Sequence, residues 1–141
     1  MSLTTIVTVA LGVAGHLANA QGFIHNCTWQ TGLLSQHFLG MYCNDDAWDK
    51  WSYDWSWLDI NTCLANSGGN LYPGPPGDYW STCGNCGIYG SNQDFVLACN
   101  CINSTGGFTP SKFDLNLIVW NIDGTLGCFN HVGNKTEKGP F

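Results

Sequence analysis

The chain has no arginine, four lysines and a single glutamate among its 141 residues, and only 10% of it is charged. Its formal net charge is −6. A surface so poor in cations lacks the basic patches that nucleic acid and anionic membrane surfaces require, so neither is expected as a partner. No window of a dozen residues carries a good 3.6-residue apolar period, which argues against long helices. After the first twenty residues, no segment is long and apolar enough to cross a bilayer. No nucleophile elbow surrounds a serine, and His25, His37 and His131 sit in no metal-ligand or triad spacing. The adjacent Asp45 and Asp46 would point to opposite faces of a strand. We therefore expect no enzyme, no metal and no cofactor.

What is present points to export. Leu3 to Ala14 is a short apolar run followed by Ala18-Asn19-Ala20, a small-x-small cleavage pattern. Residues 1–20 read as a secretory signal peptide with Gln21 as the new N-terminus, and the protein is expected to be secreted and extracellular. Removing them leaves 141 − 20 = 121 residues, one compact domain's worth. All eight cysteines lie in that part, and in an oxidising compartment an even count reads as four disulfides. Sequons at Asn26, Asn103 and Asn134 fit the same route as glycosylation sites. Few charges among many Asn, Ser, Thr, Gly and aromatic residues make a neutral polar surface, suited to uncharged, hydroxyl-rich ligands.

The chain also contains itself twice, at a period of about 55 residues. Cys27 to Cys43 spans sixteen positions, as does Cys83 to Cys99. The first copy continues with Leu58-Asp59-Ile60-Asn61, then Asn66 and Gly69-Asn70-Leu71; the second with Phe113-Asp114-Leu115-Asn116, then Asn121 and Gly124-Thr125-Leu126. Such a duplication is two copies of one structural unit, each covering the other's apolar face. Repeat one is placed at about 22–76 and repeat two at about 77–129, with the Pro-rich joint Tyr72 to Asp78 between them and a polar tail over 131–141, expected to fray. Equal spacing favours bridges Cys27–Cys43 and Cys83–Cys99. Cys86–Cys101 then fits a second rung, and Cys63–Cys128 is left by elimination; the pairing of these last four stays open.

Short β-type stretches (Phe23–Gln30, Gly32–Cys43, Trp51–Leu58, Asp94–Cys101 and Leu117–Ile122) alternate with Gly/Asn/Pro punctuation. Asp59 with Asn61, and Asp114 with Asn116, are placed to fix tight turns or short 3₁₀ elements, and the Leu closing each motif should be core. Trp51, Tyr53, Trp55 and Trp57 fall on alternate positions and so on one face of a strand. Burial is expected for Trp55 and Trp57, and partial exposure for Trp48 and Trp51 near a loop.

The duplicated order of Cys hairpin, Leu-Asp-x-Asn turn, Asn and Asp-Gly-Thr-Leu resembles the cyanovirin-N homology family, in the manner of its fungal secreted members. The resemblance covers about residues 22 to 129. It implies an all-β fold of two pseudo-symmetric repeats, each a three-stranded sheet plus a β-hairpin, with strands exchanged between repeats. It implies a lectin for mannose-type oligosaccharides, without metal. The stiff Pro-rich joint between exchangeable halves can act as a hinge, so a monomer or a domain-swapped dimer is expected. By position, one carbohydrate pocket would comprise His25, Asn26, Asn44, Asp45, Asp46, Asn121, Ile122 and Asp123. The other would comprise Asn66, Gly68, Asp78, Ser81, Thr82, Asn100 and Cys101. The competing reading is a disulfide-stapled interaction protein that keeps the scaffold and has lost the sugar site.

Overall fold

The computed structural model describes residues 22–46, 52–74, 77–136 and 138–140. Residues 1–20, expected to be a signal peptide, and Trp48 and Trp51 lie outside the described residues. The described residues are mostly strand: β1 (Cys27–Ser35), β2 (Phe38–Asn44), β3 (Tyr53–Asp59), β4 (Leu64–Ser67), β5 (Asn70–Pro73), β6 (Cys83–Gly90), β7 (Phe95–Ile102), β8 (Phe108–Asp114), β9 (Val119–Ile122), β10 (Thr125–Cys128), β11 (His131–Val132) and β12 (Asn134–Thr136). In the first copy β1-β2-β3 form an antiparallel meander and β4-β5 a hairpin; in the second, β6-β7-β8 and β9-β10 repeat the arrangement. The hairpin of each copy packs on the meander of the other, β10 on β3 and β5 on β8. This is the exchange between repeats that the resemblance implies.

Among the described residues, four short 3₁₀ turns carry the chain between sheets, over Phe23–Asn26, Ile60–Thr62, Tyr79–Ser81 and Leu115–Leu117. The Leu-Asp-x-Asn motifs build the second and fourth. Asp59 Oδ1 accepts from the Asn61 N–H at 3.0 Å, and Asp114 Oδ1 from the Asn116 N–H at 3.0 Å, each carboxylate satisfying a donor that the turn leaves unpaired. The asparagines then reach across the repeats. Asn61 Oδ1 accepts from the Trp80 N–H (2.8 Å) and Asn116 Oδ1 from the Ile24 N–H (3.2 Å). That cross-link is why Phe23–Asn26 is a turn rather than the start of a strand.

The central core is shared by both copies and includes Phe23, Leu39, Met41, Leu58, Leu64, Tyr79, Phe95, Leu97, Leu115 and Leu126. The Leu closing each repeated motif, Leu71 or Leu126, is buried, and its N–H donates to a buried serine of the opposite meander: Leu71 to Ser111 Oγ (2.8 Å), Leu126 to Ser56 Oγ (2.9 Å). Along β3 it is therefore Ser56 and Leu58 that face this core. Trp55 is fully buried on the opposite face. There Tyr42 and Trp57 meet it edge-on, and Gly40 lies directly beneath, where a Cβ would stand 2.4 Å from the Trp55 ring. Trp57 is half-buried and Tyr53 exposed.

Two further sequence expectations need correction here. The tail does not fray over its first part: β11 extends the β9-β10 hairpin, and β12 pairs with Trp55–Trp57 of β3, making the first sheet four-stranded. Gly139 then closes over the Trp55 ring and donates its N–H to Tyr42 Oη at 3.0 Å. The second correction concerns the disulfides. Cys27–Cys43 and Cys63–Cys128 are formed, but the remaining bridges are Cys83–Cys101 and Cys86–Cys99, not Cys83–Cys99 and Cys86–Cys101. The register explains it. Cys27 faces Cys43 at the start of β1, and Cys83 faces Cys101 at the start of β6. The first hairpin spends residues on a wide bulge between Thr28 and Leu33 and closes in a tight turn at Gln36-His37. The second has a narrower bulge at Asn85-Cys86, but its longer turn and one further ladder pair together outweigh that saving, so its matching bridge spans 18 positions rather than 16. The equal spacing of Cys83 and Cys99 is a coincidence.

Candidate functional site

The first proposed pocket forms around the β9–β10 turn. Asn121 fixes it with both ends of its amide: Oδ1 accepts from the Gly124 N–H (3.0 Å), and Nδ2 donates to the Asn44 carbonyl (3.1 Å) at the end of β2. The turn thereby leans on the other repeat. A Cβ at Gly124 would stand 3.1 Å from the Cβ atoms of Asp45 and Asp54, so glycine permits that approach as well as its φ of +82°. Asp123 occupies the turn at φ 55° with its carboxylate exposed. Asp46 folds back, its N–H donating to Asn44 Oδ1 at 2.7 Å. His25 and Asn26 lie exposed on the 3₁₀ turn that packs beside β9. Ile122 and Asp123 also border a shallow depression of about 310 Å³ with Trp120, Thr125 and Val132.

Two residues of this cluster escaped the sequence reading. Asp54 on β3 stands behind the turn, nearly buried beside Asp45. Lys135 on β12 spans the site: its ammonium donates to the Asp123 carbonyl at 2.8 Å and lies 3.3 Å from Asp54 Oδ2 and 3.8 Å from Asp123 Oδ2. Burial holds the Asp54 pKa above the ordinary carboxylate value; Lys135 opposes the rise and the neighbouring Asp45 adds to it. Lys135 carries no local sequence signal, because only β12 pairing brings the tail here.

The second proposed pocket is the pseudo-symmetric counterpart. Asn66 repeats the role of Asn121: Oδ1 accepts from the Gly69 N–H (2.8 Å), and Nδ2 donates to the Ile102 carbonyl (3.0 Å) and to Thr82 Oγ1 (3.0 Å). Gly68 sits at φ 61° where Asp123 sits in the other turn. Asp78 accepts from Ser81 Oγ at 3.1 Å. Ile102, one residue beyond the bridged Cys101, replaces Asn44, so Asn103 stands where Asp45 does. Thr109, paired with Cys101, stands where Asp54 does, paired with Cys43. Asn103 accepts from the Thr105 and Gly107 N–H groups and donates Nδ2 to Thr109 Oγ1 (3.0 Å). Asn100 is not brought to this cluster; it lines a separate depression with Gly84, Asn85 and Phe108. Cys101 is buried and bridged. The displaced register explains why the sequence named Asn100 and missed Asn103 and Thr109.

Residues 23–127 match the family model of the CVNH domain. The chain belongs to the CVNH family. Among solved structures, the CVNH protein is similar to GzCVNH of Gibberella zeae, with 21% identity over 77% of this chain and 97% of that one (TM-score 0.63). It is also similar to a MoCVNH3 variant solved in complex with (N-GlcNAc)4, with 17% identity over 78% and 98% of the two chains (TM-score 0.65). Microvirin, solved in complex with mannobiose, matches at 21% identity over 77% and 98% (TM-score 0.62). At these identities the shared property is the fold.

Proposed function

We propose that this CVNH protein is a secreted, metal-independent lectin for mannose-type oligosaccharides, and that the β9–β10 turn carries the binding. The observation behind this reading is the convergence of Asp45, Asp54, Asp123 and Lys135 on a turn held rigid by Asn121. Carboxylates accept from, and an ammonium donates to, the neighbouring hydroxyls of a sugar ring, and charged partners make the stronger hydrogen bonds. The complexes of microvirin with mannobiose and of the MoCVNH3 variant with (N-GlcNAc)4 support a carbohydrate ligand. A small, open site gives a single-site Kd of order mM to tens of μM. Glycan-array binding by unglycosylated protein tests this: mannose-type signals that disappear in Asp123→Ala are the expected result.

One observation favours the competing reading of a scaffold without sugar binding. Lys135 already occupies the Asp123 carbonyl that a ligand hydroxyl would approach. An array silent for both the natural chain and Lys135→Ala supports that reading; binding by either supports the lectin.

A further inference from the structure

The outer face of β6-β7-β8 carries a trough apart from both turn clusters, and Asn100 lines it. The bulge opposite Cys99 holds Asn85 at φ 52° and leaves its side chain exposed on β6. Two adjoining depressions, about 320 and 260 Å³, share Asn85 and Asn100 as lining residues. The floor is made of small residues. A Cβ at Gly84 would meet nothing within 4 Å, one at Gly87 would meet only the Tyr89 hydroxyl at 4.0 Å, and Ala98 pairs with Gly87. An aromatic ring stands at each end: Tyr89 and Phe108 are each 65% exposed. Tyr89 faces Val96 and Phe108 faces Ile102, so at about 3.4 Å per residue their backbone positions are about 20 Å apart along the strand, and the Tyr89 ring leans inward toward Gly87.

The same face of the first copy is closed. By register, Tyr42 takes the place of Asn100, Trp55 that of Pro110, and Trp57 that of Lys112. Large rings fill that face, and Gly139 seals it. The open face combines two exposed rings, two primary amides and one ammonium, with no carboxylate among the described lining residues, in a chain of net charge −6. Rings offer stacking surface to the C–H face of a pyranose, and each amide offers both a donor and an acceptor to a hydroxyl pair. The geometry points to a second carbohydrate site on this face, for an extended, β-linked chain of neutral pyranoses laid between Tyr89 and Phe108. The flat ribbon of such a chain suits a floor of glycine and alanine, and the Cys86–Cys99 bridge holds the bulge that presents Asn85.

The site is independent of the β9–β10 turn, so the two are tested separately. Isotope-labelled protein is titrated with cellotetraose and with (GlcNAc)4 and followed by NMR. The expected result, with at least one of them, is a shift of the Asn85 and Asn100 side-chain amides and of the Gly84 and Gly87 backbone signals. Tyr89→Ala and Phe108→Ala should each weaken binding about tenfold, the loss of one ring contact. Both side chains are exposed, so folding should survive, which thermal melts will verify. Gly84→Gln, which places a side chain in open space, should abolish binding, and Asp123→Ala should leave it unchanged. Shifts absent with both sugars, or confined to residues around Asn121 or Asn66, overturn the site. So do shifts produced only by a peptide of residues 131–140, which would assign the face to a protein segment as in the first copy.

Discussion

The two ends of this molecule are built on one plan and finished in opposite chemistry. Asn121 and Asn66 clamp equivalent turns onto equivalent carbonyls, of Asn44 and Ile102. Around the first turn stand Asp45, Asp54, Asp123 and a lysine; around the second stand Asn103, Thr109 and Gly68. The meanders differ likewise. One hides its outer face under tryptophans and the chain's own tail, and the other leaves an open trough. The lesson is that the hydrogen bonds fixing the turns are kept in both copies, while the side chains presented to solvent have diverged. Folding demands the former, because an unpaired buried donor is costly, whereas an exposed side chain is nearly free to change.

The comparison can be broken at several levels. The largest effect is expected from Cys63→Ser with Cys128→Ser, which removes the bridge between copies. Its loop spans 65 positions, and about 4 kcal/mol is expected from chain entropy, against about 3 for the Cys86–Cys99 loop of 13. Denaturant melts of the two double variants would give that order. Next come Ser56→Ala and Ser111→Ala, each stranding the buried N–H of a core leucine at a cost of about 2 kcal/mol. Equal losses support the pseudo-symmetry; a loss in one copy only would break it.

Deleting residues 134–141 attacks the difference itself. It should cost about 1–2 kcal/mol, since one face of Trp55 is uncovered, and should red-shift tryptophan fluorescence. The smallest effect belongs to Lys135→Met. Asp54 has a raised pKa in the folded chain, so its contribution to stability is fullest below the unfolded carboxylate value and falls away as pH rises through the folded one. Without Lys135 the pKa should rise further. The variant should then lose more stability than the natural chain between acidic and neutral pH, with the Asp54 carboxyl titrating later by NMR. The second turn, which has Thr109 in place of Asp54, should show no such dependence.

Much of this was legible in the chain. The duplicated Leu-Asp-x-Asn turns, the buried leucines that close them and the key asparagines all follow from local chemistry repeated at a fixed offset. The alternation of Tyr53, Trp55 and Trp57 gave a shared face, and burial of Trp55 followed, beneath the tail rather than in the central core, while Trp57 is only half-buried. Where spacing was trusted across a bulge it failed. Cys99 and Cys101 differ by one pleat pair, and only the register between β6 and β7 selects which meets Cys83.

The sequence by itself determined that the chain is a doubled β unit, poor in charge and rich in cysteine, with polar turns at fixed places. Periodicity, turn chemistry and composition are local, so they can be read one residue after another. Tertiary structure alone decided which cysteines pair, that Lys135 reaches Asp54 and Asp123, and that one outer face is covered while the other stays open. Those outcomes rest on strand register and on where a distant tail docks. Both are set by packing between segments far apart in the chain, and neither leaves a local pattern behind.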